Sequence, residues 1–398
     1  MCVDFRRLNS KTIKDQYPLP RIDDSIDRLK NAKWISTLDL AWGYWQLPVH
    51  PDSVDKTAFV TPDGQFEWLQ MPFGLTNGPS VYQRMMNKIL TPLEDPQIFS
   101  YLDDIMIAAQ TPEENIEKLR LTFDKLREGN LTMRLGKCRF LQTKIHYLGH
   151  EIENGELRPG TEKIPAITNF PTPKNVHEVR QLLGLIGYFR KFIQNYSRIA
   201  LPISKLLRKD VPFNWGKEQE DAAKILKEKL IEQPVLAIFD PKAETQVHTD
   251  ASKDGVGAIL LQKQRSGDFK PVMYYSQRTT PEQSEYHSYE LETLAIVLAL
   301  IRMLQGIEFK VITDCAALRY TLKKRDINPR IARWWLLIQD FNFEVEHRAG
   351  ERMQHVDSLS RNPVGSSENL DTAADQEPIS IKKIRFKNRR LDIDCTKK

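Results

Sequence analysis

Ile98-Phe99-Ser100-Tyr101-Leu102-Asp103-Asp104-Ile105-Met106-Ile107 is an apolar run interrupted by two adjacent acids. Its β-branched and aromatic residues read as two strands, with the acids in the turn of a hairpin between them. A third acid, Asp39, stands inside a similar run, Ser36-Thr37-Leu38-Asp39-Leu40. Either segment alone has an ordinary reading, since Asp is common in turns and at helix caps. Together they have a chemical one. Phosphoryl transfer from a nucleoside triphosphate needs carboxylates that bridge two Mg2+ ions roughly 3.5–4 Å apart. Three clustered acids without cations would raise one another's pKa. Asp39, Asp103 and Asp104 are therefore expected to be catalytic and to hold two Mg2+, with Mn2+ as a substitute.

Around this hairpin, residues 1–155 alternate strand-like runs with turn residues: Trp34–Leu40, Lys56–Thr61 and Phe66–Leu69 about Pro62-Asp63-Gly64, and Gln97–Ala108. Residues 156–235 turn helical, with Val179, Leu182, Leu183 and Ile186 on one stripe and Asn175 and Glu178 spaced as a helix N-terminal cap. Arg180, Arg190 and Lys191 give that segment a basic face. Residues 236–362 alternate again: strands at Gln246–Thr249 and Val256–Leu261, a helix at Leu291–Leu304, a strand at Phe309–Thr313, then a further helix and strand, the pattern of an α/β domain. Residues 363–398 are polar and then basic, and read as a disordered tail.

Composition agrees with several cores in one chain, since 398 residues at 40% hydrophobic content exceed what one domain usually holds. The net charge of +5, interleaved with seven Trp and twelve Tyr, suits phosphate contacts and base stacking as well as an ordinary basic surface. Cys2, Cys138, Cys315 and Cys395 form no CxxC pair, which excludes a disulfide framework and a zinc knuckle. No apolar run reaches the roughly 20 residues of a membrane span, and no signal-peptide core begins the chain. The expected setting is cytoplasmic, in element particles, or nuclear.

In order, Val3-Asp4-Phe5-Arg6-Arg7-Leu8-Asn9, Leu38-Asp39-Leu40 with Gly43-Tyr44-Trp45-Gln46, Lys56-Thr57-Ala58-Phe59, Met71-Pro72-Phe73-Gly74-Leu75 and Tyr101-Leu102-Asp103-Asp104 resemble the reverse transcriptase region of gypsy-type LTR retrotransposon Pol polyproteins. The resemblance extends to about residue 363. It implies an α/β (α+β) fold: a right-hand polymerase palm with partial fingers (1–155), a helical thumb or connection (156–235) and a ribonuclease H-like domain (236–362). Carried over by position, Tyr44 is the gate that rejects a 2′ hydroxyl, and Phe73 and Gln83 line the nucleotide pocket and touch the template. Leu148, Gly149 and His150 form the primer grip, and Lys137 stands near the leaving group.

The same resemblance gathers Asp250, in His248-Thr249-Asp250-Ala251-Ser252, with Glu292, Asp314 and Asp357 as the metal-binding acids of a ribonuclease H site. Spacing alone would not link these four. Glu290 is the alternative for the helical acid, His347 lies near a mobile histidine of retroviral relatives, and Arg330, Arg333, Trp334 and Trp335 either line the hybrid groove or pack in the core. A finger Arg and Lys that would precede Val3 in the family have no counterpart, so the chain reads as N-terminally truncated. The implied function is RNA- and DNA-directed DNA synthesis with cleavage of RNA in the hybrid. Its partners would be an RNA template, a DNA primer, RNA–DNA hybrid and dNTPs, with the oligomeric state open. The alternative is a truncated or domesticated nucleic-acid-binding remnant that retains at most hybrid cleavage. Tyr44 and the second domain disfavour an RNA-synthesising polymerase.

Overall fold

A computed structural model describes residues 3–303, 307–313 and 328–348, all within one compact unit, Met1–Asn362. The first sheet is antiparallel throughout. It contains β1 (Trp34–Asp39) and, beyond a separate ribbon of β2 (Phe59–Thr61) and β3 (Gly64–Phe66), β4 (Ile98–Tyr101), β5 (Asp104–Ala109) and β6 (Arg139–Gln142), in the order β4-β5-β1-β6. The β2–β3 ribbon is shorter than the sequence reading, because Asp55–Thr57 closes into a 3-10 turn and the return strand ends at Phe66. Asp39 pairs with Asp104, and Tyr101 pairs with Asp104. The two-residue turn Leu102-Asp103 thus joins β4 to β5 at the sheet end where β1 finishes.

Ile105, Met106, Ile107, Ala108 and Ala109 of β5 are all fully buried. The reason is cover on both faces, which makes a strand read as a continuous apolar run. Ile105 and Ile107 pack with Leu38, Tyr82, Met86 and Leu119 beneath the helices Gly78–Leu90 and Pro112–Glu128. Met106 and Ala108 face a second core containing Ile145, Ile152, Leu182 and Phe189.

That second core is built on β7 (Lys144–Tyr147), β8 (His150–Glu153) and β9 (Glu156–Pro159), closed by β10 (Leu236–Ala237) in the order β10-β9-β8-β7. The β8–β9 hairpin runs across residue 155, and β10 pairs with β9. The helical module is therefore inserted between two adjacent strands of one sheet, a connection that only pairing in space reveals. Its main helices are Val176–Gly187 and Lys217–Ile231. At the first, Asn175 Oδ1 accepts the Glu178 backbone N–H at 3.0 Å, realising the expected cap.

The C-terminal sheet has the order β13-β12-β11-β14-β15, from β11 (Thr245–Ser252), β12 (Gly255–Lys263), β13 (Phe269–Arg278), β14 (Glu308–Thr313) and β15 (Asn342–His347). β11 runs parallel to β14, and β14 parallel to β15. β13 was missed in the sequence because Pro271 sits inside it. The proline is tolerated because β13 is an edge strand and the register shifts where Pro271 meets Leu261. The helix Ser288–Met303 packs on β11 and β12 and supplies Leu291, Ala295, Ile296, Ala299 and Leu300 to the core.

The two halves touch. The Arg190 guanidinium donates to the Ser276 carbonyl at 2.8 Å, the Ser197 N–H donates to Ser276 Oγ at 3.0 Å, and Lys270 pairs with Glu156 at 3.0 Å. Near this junction Asp27 receives a backbone hydrogen bond from Phe239, yet burial, reinforced by Asp23, pushes its carboxyl up from 3.8 to about 7. Between those values the folded chain keeps a proton that the unfolded chain has lost. Stability therefore falls as pH rises through that window, by at most about 1.4 kcal/mol per pH unit. Asp27→Asn removes this slope. In paired urea titrations the variant should gain on the parent between about pH 4.5 and pH 7.5, and an unchanged difference would contradict the assignment.

Candidate active site

Strand register brings the three expected acids to one edge. Asp39 ends β1, Asp104 opens β5 opposite it, and Asp103 occupies the turn between β4 and β5. The turn is strained, since Leu102 has φ 51°, a left-handed conformation that costs a non-glycine residue about 1–2 kcal/mol. Partial loss of solvent raises the Asp103 carboxyl above its ordinary range, and the Asp39 charge raises it further. Desolvation also lifts Asp104, followed by the charges of Asp39 and Asp103. Asp103 Oδ1 is buried with no hydrogen-bond partner. Lys137 Nζ lies 3.2 Å from Asp39 Oδ2 and partly offsets the negative field. Among the described residues no group of three or more His, Cys, Asp and Glu side chains is placed to hold a metal ion. The raised acids and the orphaned oxygen nevertheless fit a site that gains from added positive charge.

Tyr44 follows Asp39 on the 3-10 turn Gly43–Gln46. Its ring lies 5.3 Å from Phe73 and 5.2 Å, edge on, from Tyr82. Phe73 is exposed, whereas Tyr82 is completely buried and its hydroxyl has no hydrogen-bond partner. Sequence reasoning passed over Tyr82, although it stands next to Gln83 on an apolar helix face. Gln83 itself corrects an expectation. Its side chain is 0% exposed and lines no open pocket. The helix periodicity that buries Tyr82, Gln83 and Met86 together turns the amide toward the β4–β5 turn.

Leu148 and Gly149 form the turn between β7 and β8, with φ values of 47° and 72°; both are part-buried, and the Gly149 carbonyl accepts the Gly160 N–H at 2.9 Å. The structure separates His150 from them. It begins β8 pointing inward, is 2% exposed, and packs against Tyr188, Phe189 and Phe192. Its Nδ1–H donates to the Leu148 carbonyl at 2.9 Å, so it shapes the turn from beneath and cannot reach a strand from its own surface.

In the second domain Asp250 lies in β11, 3% exposed, and Glu292 lies early in the helix Ser288–Met303, 8% exposed. Glu292 Oε1 accepts the Ala251 N–H at 3.1 Å, which sets it beside Asp250. Glu290 points elsewhere, to Arg330 and Asn328, both at 3.1 Å. Arg330 also stacks over Tyr286 at 4.0 Å, Trp334 and Trp335 pack against the core, and Arg333 is exposed. His347 ends β15 in register with Thr313. Asp314 and Asp357 lie outside the described residues.

An antiparallel sheet with acids on a strained hairpin, a helical insertion, and a five-stranded mixed sheet with a buried strand acid beside a helix acid define a polymerase palm and thumb followed by a ribonuclease H-like domain. Residues 1–152 match the family described as reverse transcriptase (RNA-dependent DNA polymerase), and residues 215–312 match the RNase H-like domain found in reverse transcriptase. The chain therefore contains a reverse transcriptase region and an RNase H-like region, and its relatives are transposon Pol polyproteins. It is 35% identical over 363 residues to the retrovirus-related Pol polyprotein from transposon 297 of Drosophila melanogaster, covering 90% of this chain and 34% of the relative. It is 35% identical over 368 residues to the transposon Tf2-3 polyprotein of Schizosaccharomyces pombe, covering 91% of this chain and 28% of the relative. The chain thus spans about a third of the length of these relatives. In fold it is similar to the foamy viral protease-reverse transcriptase in complex with double-stranded DNA, with a TM-score of 0.78 at 23% identity, covering 87% of this chain and 62% of that one. The same viral protein in complex with an RNA/DNA hybrid gives a TM-score of 0.74 at 22% identity, covering 93% and 51%. No helix among the described residues is long and apolar enough to cross a membrane.

Burial, followed by the Lys191 charge, pushes His150 down to about 4. As pH falls from its ordinary value of 6.5 toward about 4, the unfolded chain takes up a proton that the folded chain refuses, and stability is lost. In His150→Phe the ring contacts persist, and the Leu148 carbonyl keeps its bond from the Tyr188 hydroxyl. Melting temperatures measured across that range should therefore fall less steeply with acid in the variant than in the parent.

Proposed function

We propose that this chain carries out RNA- and DNA-directed DNA synthesis at the first acid cluster and cleavage of the RNA strand of a hybrid at the second. The observation that carries the reading is the pairing of Asp39 with Asp104 beside the partnerless oxygen of Asp103. Such an arrangement is costly in a protein with no cation to receive and useful in one that handles a triphosphate. Asp39, Asp103 and Asp104 would hold Mg2+, as would Asp250 and Glu292 with the sequence-expected Asp314 and Asp357. Bound there, the metal would lower the pKa of the attacking hydroxyl or water and neutralise phosphate charge.

The chain's own groups do the rest. The Tyr44 ring, held by Phe73 and Tyr82, would close the space beside the sugar C2′ and exclude a ribose hydroxyl. Lys137 Nζ, beside Asp39, would place a positive charge at the departing end of the triphosphate. The Leu148-Gly149 tip would seat the primer backbone, and the RNA template and dNTPs would be the matching partners. In the second domain Glu292 is fixed by the Ala251 N–H, so its other oxygen would face the cleavage site beside Asp250. Discrimination there would rest on the 2′ hydroxyl and duplex shape, not on base sequence.

Two variants in one chain separate the activities. Asp103→Asn should lower primer extension on an RNA template by more than about 100-fold, since loss of even an outer-shell partner of a metal ligand costs about 10–100-fold, and should leave cleavage of a labelled hybrid intact. Glu292→Gln should do the reverse. Extension at the parent rate in Asp103→Asn would sink the first assignment, and cleavage at the parent rate in Glu292→Gln would sink the second.

A further inference from the structure

The Gln83 side chain is fully buried, and all but one of its bonds go to the β4–β5 hairpin. Nε2 donates to the Ser100 carbonyl at 3.2 Å, to Ser100 Oγ at 3.1 Å and to Asn87 Oδ1 at 3.0 Å, while Oε1 accepts the Leu102 N–H at 3.0 Å. One amide thus ties the end of β4 and the left-handed turn residue Leu102, the stretch of chain that leads directly into Asp103. Without it the left-handed Leu102 would lose the partner of its inward N–H, and leaving a buried group unmatched costs about 1–3 kcal/mol.

The preceding residue braces the gate from the same helix. The Tyr82 ring meets Tyr44 edge on, and its hydroxyl fills the space where a side chain on Gly43 would begin, 2.7 Å from an ideal Cβ. Gly43 starts the turn that carries Tyr44, so the height of Tyr44 above the acids is set by how far Tyr82 protrudes.

We propose that Tyr82 and Gln83 are positioning residues that tie the sugar gate and the Asp103 turn to one buried helix, Gln83 acting through the hairpin and Tyr82 through Tyr44, neither touching nucleotide. The inference rests on the polymerase reading above. It assigns Gln83 to kcat and Tyr82 to sugar selectivity.

Single-nucleotide incorporation by the full chain on a primed RNA template tests it, with hybrid cleavage by the same protein as the measure of folding. Gln83→Leu should lower kcat for dNTP by about tenfold or more while KM changes less than about threefold, and the Leu102 amide should exchange with deuterium faster. Gln83→Glu keeps the volume and the acceptor for Leu102, so its amide should stay protected even if Gln83→Leu proves unstable. Tyr82→Leu should lower the ratio of kcat/KM for dNTP over rNTP by about tenfold, and Tyr82→Phe, which keeps the ring edge against Tyr44 but not the hydroxyl beside Gly43, should restore only part of it. A raised KM at unchanged kcat in Gln83→Leu, an unaltered Leu102 amide, or unaltered selectivity in Tyr82→Leu would overturn the inference alone. A parent chain that cleaves hybrid but incorporates nothing would overturn the polymerase reading and this inference with it.

Discussion

The antiparallel register between β1 and β5 is the constraint on which the rest of the molecule depends. Because side chains alternate along a strand, a slip of one residue would move Asp39 away from Asp104 and turn Ile105 and Ile107 out of one core and into the other. The register is held by apolar contacts on both faces. Leu38, Ile105 and Ile107 fit beneath two helices, while Ile35, Met106 and Ala108 fit against the strands β7–β9 and the helices inserted after them. The hydrophobic effect thus places three carboxylates where electrostatics alone would keep them apart.

The cost of that placement is visible around it. Asp103 and Asp104 are both raised by desolvation and by neighbouring acids, Leu102 adopts a left-handed backbone, and Lys137 leans on Asp39. Strain and like charge persist only where surrounding structure over-determines them. Gln83, with four hydrogen bonds into the hairpin and its own helix, and Tyr82, wedged against Gly43, are parts of that surround. In the C-terminal domain the same logic is simpler. The Ala251 N–H fixes Glu292, and the Glu290–Arg330 pair draws the neighbouring acid away from Asp250.

The contact between the halves gives the module a second role. Ser276 of β13 receives both the Arg190 guanidinium and the Ser197 N–H, and Tyr274 packs into the core that also contains Phe189 and Leu182. The helices between β9 and β10 therefore lean on the palm and on the ribonuclease H-like sheet at once. Asp27, near this junction, is an acid that the fold prefers to keep protonated.

Residue order by itself determined the acid hairpin, the Asn175 helix cap, the two α/β regions and the family resemblance, because apolar periodicity and short motifs are local properties of the chain. It also pointed to Asp39, Asp103, Asp104, Tyr44 and Glu292. Tertiary structure alone decided what depends on which face a side chain turns to and what it meets there. Strand direction buried His150 behind Leu148 and Gly149, and helix phase took Gln83 from a pocket wall to the underside of a turn. An edge position with a register shift allowed β13 to contain Pro271, and pairing across the inserted helices joined β9 to β10. These outcomes are set by partners distant in sequence, and spacing along the chain contains no information about them until the chain has packed.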